Sequence, residues 1–234
     1  MKLSFSVRGW WQEGWESLIS TATEMRFQGI EIYNVLRQKE LVGKGGPFHK
    51  YNVVATARDL KNQGLSIPVF DTNCDLSADG AEELRATIDI AGDMSVPYVA
   101  ADAMSENMDT IIASLEQLIP FAEEKGVTIL MKTRGIFSDT AKLRDLMNHF
   151  ASDQLAALWD VPHPYRDVGE TPSVTITNLG AYVKHVHLRD SDDKDTYNLI
   201  GEGSYPVADL MRALYSVDFG GFISLMWKTE WMED

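Results

Sequence analysis

Short apolar runs rich in β-formers alternate with amphipathic helical stretches along the whole chain, and this alternation limits the fold more than anything else. Runs suited to strands are Leu3–Val7, Gly29–Tyr33, Ser66–Asp71, Pro97–Ala101, Val127–Lys132, Leu155–Asp160, Val183–Leu188 and Gly221–Met226. Between them, Trp15, Leu18, Ile19 and Ala22 share one helical face, as do Met108, Ile111, Ile112, Leu115, Leu118 and Ile119. Leu143, Leu146, Met147 and Phe150 repeat the pattern after a Ser138 cap, and Val207, Leu210, Met211 and Leu214 follow Pro206. Strands separated by helix-length crossovers pair in parallel. Eight such units in 234 residues predict one (β/α)₈ barrel, a single domain over 1–234. A doubly wound open sheet is the alternative, but no glycine-rich phosphate turn follows the first strand.

Composition narrows the partners. A net charge of -14 argues against nucleic acid and anionic membranes, both of which call for basic faces. No apolar run approaches membrane-spanning length. The opening MKLSFSVRGWW reads as a strand, too polar for a signal peptide. The single Cys74 allows no internal disulfide, suits a reducing cytoplasm and has no evident activating base. The expected partner is a small molecule.

In a barrel, chemistry sits at the C-terminal strand ends. Those ends read Tyr33, Asp71, Asp102, Lys132, Asp160, His187 and Met226. His185 and His187 are two apart and so face the same side. His49 and His149 read as surface or packing residues. Trp10, Trp11, Trp159, Trp227 and Trp231 read as core or rim.

The segments WDVPHPYR (159–166), KHVHLRDS (184–191), Gly201-Glu202-Gly203 and GFISLMW (221–227), with LSFSVRGW and GIEIYN, resemble the xylose-isomerase-like TIM barrels, the sugar isomerase and epimerase family. The resemblance implies a divalent metal held by a glutamate ending strand five, an aspartate ending strand six, a histidine on strand seven and a glutamate ending strand eight. It maps the aspartate to Asp160, the histidine to His187 and a substrate-contacting histidine to His163. Lys132 and Met226 stand where the two glutamates, also the family's acid–base pair, belong.

An ammonium donates three hydrogen bonds and accepts none, so it cannot ligate a cation. No stoichiometric metal is expected, and the change concentrated in the site reads as redesign. Burial beside Leu130 and Met226 should lower the Lys132 pKa, against the pull of Asp160, and expose an amine able to form a Schiff base. The leading expectation is an engineered, metal-free retro-aldolase on a carbonyl substrate. Lys132 would be the nucleophile, and Asp160 or His187 the proton acceptor. Tyr33, Phe70, Arg134, His163 and Met226 would bind substrate, with Phe70, Met131, Pro162, Ala100 and Ala101 making the mouth apolar. Two alternatives remain: a sugar isomerase or epimerase with a divalent metal at Asp160 and His187, and a non-catalytic carbohydrate-binding barrel.

Overall fold

The computed structural model describes residues 1–10, 13–193 and 196–227, so Trp11 and Trp231 lie outside the described residues. Seven strands come first: β1 (Lys2–Ser6), β2 (Gly29–Tyr33), β3 (Phe70–Asp75), β4 (Tyr98–Asp102), β5 (Thr128–Lys132), β6 (Leu155–Asp160) and β7 (Val183–Leu188). A hairpin of β8 (Asp190–Ser191) and β9 (Tyr197–Asn198) follows, then β10 (Phe222–Leu225). Eight of these close a barrel in the order β1-β10-β7-β6-β5-β4-β3-β2. All eight pairings are parallel. The predicted fold class is therefore correct.

Strand alternation creates two cores. Inward-facing Val69, Ala100, Leu130, Ala156 and Leu158, packed against Tyr98, plug the barrel. Outward-facing residues such as Ile129, Met131, Ala157 and Trp159 pack beneath the helices in the larger cluster. Each helix buries one stripe, as Ile111, Leu115, Leu118 and Ala122 do on the helix Met108–Lys125. The Asn107 side chain caps that helix, and Gly126, at φ +66°, ends it.

Two local expectations are corrected. The third strand begins at Phe70 rather than Ser66, and Ser66 makes only an isolated bridge to Gly29. Pro68 has no N–H to give a ladder there. Ser138 does not cap Thr140–Phe150; Asp139 does, accepting from the Ala141 N–H at 3.1 Å. Ser138 Oγ instead donates to Asp167 Oδ2.

The Gly-Glu-Gly turn is a structural staple. Asp190 Oδ1 accepts the N–H groups of Ser191 and Tyr205, and its Oδ2 accepts those of Gly201 and Gly203. A Cβ on Gly203 would lie 2.3 Å from Asp190 Oδ1, so the close approach requires glycine.

Candidate active site

Inward positions on the barrel strands bring together an unusual amount of buried charge. Glu31, Asp71, Asp102, Lys132, Asp160, His185, His187 and Arg189 are all buried, and they divide into three groups.

In the first group, Lys132 is 1% exposed. Its Nζ lies 2.6 Å from Asp71 Oδ1, 2.6 Å from the Thr72 carbonyl and 3.1 Å from Asp102 Oδ2. Three acceptors match the three donors of an ammonium. Burial disfavours the charged form, but the Asp102 and Asp71 carboxylates outweigh it, and the Lys132 pKa is raised. The expected depressed pKa is thus corrected. The expected partner is corrected too, because Lys132 pairs with Asp71 and Asp102 rather than Asp160.

In the second group, Arg189 Nη2 reaches both oxygens of Asp160, at 2.6 and 2.7 Å, and lies 2.9 Å from His163 Nε2. Burial alone would raise the Asp160 carboxyl, but Arg189 and then His163 hold it well below the usual carboxylate range. A carboxylate so held is a poor proton acceptor, against its expected role as general base. His163 Nδ1 lies 3.1 Å from Asp167 Oδ2. The arginine donor at Nε2 therefore assigns the proton to Nδ1.

The third group is Glu31, His185 and His187. Glu31 Oε2 lies 2.9 Å from His185 Nε2 and 3.1 Å from His187 Nε2. One potential ligand atom from each of the three falls within 4.8 Å of the others. Ser224 Oγ is also 2.9 Å from His185 Nε2. Burial pushes the Glu31 carboxyl up, but His187 and His185 outweigh it and hold it well down. Burial pushes both imidazoles down. Glu31 reverses this at His187, whose pKa is raised, but not at His185, whose pKa is lowered.

The other candidate residues divide. The Tyr33 hydroxyl accepts from Asn73 Nδ2, and its ring carries the Arg8 guanidinium at 4.6 Å from the centroid. Arg134 is partly exposed, with Nε 3.7 Å from Asp102 Oδ1. Met226 is buried at the end of β10. Phe70 is corrected: it belongs to the outer core, 6.1 Å from the Phe48 ring centroid, because Asp71 beside it takes the inward position. Met131 and Ala101 also belong to the outer core, and Ala100 to the barrel plug, so they do not make an apolar mouth. Cys74 is buried and free, and burial raises its thiol pKa.

Glu31 and Arg189 were missed as site residues. Each has a signal: Glu31 is the lone charge inside the apolar run GIEIY, and Arg189 follows His185 and His187 at the same two-residue step.

The family model for xylose-isomerase-like TIM barrels matches residues 19–234. The chain belongs to this family. Fructoselysine 3-epimerase of Escherichia coli O157:H7 is 23% identical over 197 residues, which is 80% of this chain and 66% of that protein. The chain spans about half to two thirds of the length of the curated relatives it matches. Among solved structures, D-psicose 3-epimerase with D-tagatose from Clostridium cellulolyticum H10 superposes with TM-score 0.77 at 13% identity, covering 97% of this chain and 85% of that one. The IolI protein with a zinc atom bound superposes with TM-score 0.77 at 15% identity, covering 99% and 91%.

These findings overturn two expectations. The relatives named as epimerases displace the retro-aldolase reading, and the raised Lys132 pKa removes its neutral amine. The expectation of no metal gives way to the Glu31–His185–His187 group and the zinc in IolI.

The family's implied metal position does not fit the residues here. Lys132 and Met226 supply no oxygen, and Arg189 holds both oxygens of Asp160. The Glu31 group does fit a divalent ion. It offers two imidazoles and a carboxylate, and Glu31 Oε1 is buried with no hydrogen-bond partner among the described residues. No helix among the described residues is long and apolar enough to cross a membrane.

Proposed function

We propose that this chain is a sugar epimerase or isomerase that moves a proton at the carbon beside a sugar carbonyl. Glu31, His185 and His187 form its working centre. The convergence of two imidazoles on one buried carboxylate carries this reading, because it combines metal-ligand and proton-transfer groups on the inward face of a barrel of this family. A divalent ion held by the three would polarise the sugar carbonyl. Glu31 raises the His187 pKa, and with an ion bound His187 would serve as a neutral ligand rather than as the proton carrier. Tyr33, Arg134 and His163 orient the sugar hydroxyls, with Asp167 holding the His163 tautomer. Lys132 takes no part in proton transfer, since its three donors face Asp71, Thr72 and Asp102.

The test is solvent exchange. The protein is incubated in D₂O with D-fructose, D-psicose or D-tagatose, with and without Mn²⁺, Co²⁺ or Zn²⁺. NMR should show deuterium entering beside the carbonyl, and His187→Asn should abolish it. Absence of exchange with every sugar and metal would sink the enzymatic reading.

One observation favours a second reading. Arg189 on Asp160, and two carboxylates on Lys132, leave the family's ligand positions internally neutralised. A barrel of this kind binds a sugar without turning it over. Saturable sugar binding without deuterium exchange would select it.

A further inference from the structure

The N-terminal end of the barrel carries a second feature that the epimerase reading does not use. A cavity of about 480 Å³ opens among the N-terminal strand ends and the end of the helix Val53–Asn62. Its size falls in the range of small-molecule pockets. Leu60, Leu65, Ile67, Pro68, Tyr98 and Phe222 supply its apolar and aromatic walls. Lys2, Lys61 and Lys184 also line it, and no acidic side chain among the described residues does.

That charge pattern runs against the chain as a whole, where 35 Asp and Glu outnumber 21 Lys and Arg. Lys2, Lys61 and Lys184 are exposed. Lys2 Nζ sits over the Phe222 ring, 5.3 Å from its centroid, so its charge is held at the aromatic wall.

Two of these lysines flank the closely packed Gly221. Lys2 N–H donates to the Gly221 carbonyl at 3.0 Å, and an added Cβ on Gly221 would lie 2.5 Å from the Lys184 carbonyl oxygen. Lys2 begins β1, Gly221 precedes β10 and Lys184 is the second residue of β7, on three adjacent strands, and the Phe219 ring packs against Gly221. Lysine is a compact cation suited to carboxylate or phosphate.

We propose that this cavity is a binding site for a small anion with an apolar body, a carboxylate or phosphate ester whose charge meets the three lysines and whose body lies on Tyr98 and Phe222. The proposal does not rest on the sugar chemistry proposed for Glu31, His185 and His187.

The test uses the whole chain and the fluorescent aromatic sulfonate 8-anilinonaphthalene-1-sulfonate. One saturable site is expected, weakened by added salt. Decanoate and phenyl phosphate should compete, their relative strengths separating carboxylate from phosphate ester preference, whereas decanol should not. The double variant Lys61→Glu with Lys184→Glu should lose at least tenfold in affinity. Its melting temperature and far-ultraviolet dichroism should be unchanged, because both side chains are exposed. Should that variant fold poorly, Lys184→Gln alone should still weaken binding severalfold. No saturable binding, equal competition by decanol, or unchanged affinity in a folded charge variant would overturn the proposal.

Discussion

The Lys132 ammonium crosses behind β4 to meet Asp71 of β3 at 2.6 Å, so one side chain of β5 ties together three neighbouring strands. The lysine at the strand-five end is a buried structural cation with its donors committed. Removing it leaves Asp71 and Asp102 as uncompensated buried carboxylates. Lys132→Met should destabilise the barrel by roughly 3–5 kcal/mol. Adding Asp71→Asn and Asp102→Asn should recover much of that loss. Urea denaturation of the single and triple variants checks both statements.

Carbonyl trapping at Lys132 should fail. The folded pKa is raised, so the stabilisation from its charge is fully present below the unfolded value of about 10.4 and is lost only as pH rises through the folded value. At pH 7 to 8 the group remains an ammonium. Borohydride treatment with a 1,3-diketone, followed by peptide mass spectrometry, should find no adduct on Lys132. A stoichiometric Lys132 adduct would contradict the cage.

Asp160, together with Glu31, contributes to the acid side of the stability curve. Its folded pKa is depressed, so its contribution is complete above the unfolded value of about 3.9 and is lost as pH falls through the folded value. Stability from this group should be flat above about pH 5 and decline only in stronger acid. Asp160→Asn should flatten that acid limb, measured as melting temperature against pH.

Metal should bind at Glu31, His185 and His187. Titration with Co²⁺ should give a visible d–d spectrum and about one ion per chain. Glu31→Gln or His185→Asn should weaken binding at least tenfold, about 1.4 kcal/mol. Met226→Leu, at the strand-eight end, should leave the spectrum unchanged. A spectrum that survived both ligand changes would move the ion elsewhere.

Gly203→Ala tests the staple at Asp190. The new methyl group meets Asp190 Oδ1, and relieving the clash means giving up backbone hydrogen bonds. A loss of about 1–3 kcal/mol is expected from such overpacking, read by thermal melting.

Period-two and helical patterns carry the barrel because burial on one face is a local property of each segment. For the same reason Lys132, Asp160, His185 and His187 were readable as inward-facing strand residues. Phe70 was misread although the period-two rule already sets it opposite Asp71: Asp71 holds an inward position within β3 and Phe70 faces the helices. The shared metal position implied by the family resemblance suggested Asp160 of β6 as the partner of Lys132. The choice between the flanking strands rests on side-chain reach across the barrel, which a linear pattern does not encode.

The sequence by itself determined the parallel eight-stranded barrel, its family, and the gathering of titratable groups at one set of strand ends. These follow from apolar periodicity and from motifs contained within single segments. Only the tertiary structure decided the pairings: Lys132 with Asp71 and Asp102, Asp160 with Arg189, and Glu31 with His185 and His187. The physical reason is that a buried charge takes its protonation state from whichever opposite charge lies within a few ångströms. Those neighbours come from β2, β3, β4 and the residue after β7, separated in sequence and adjacent only once the barrel has closed.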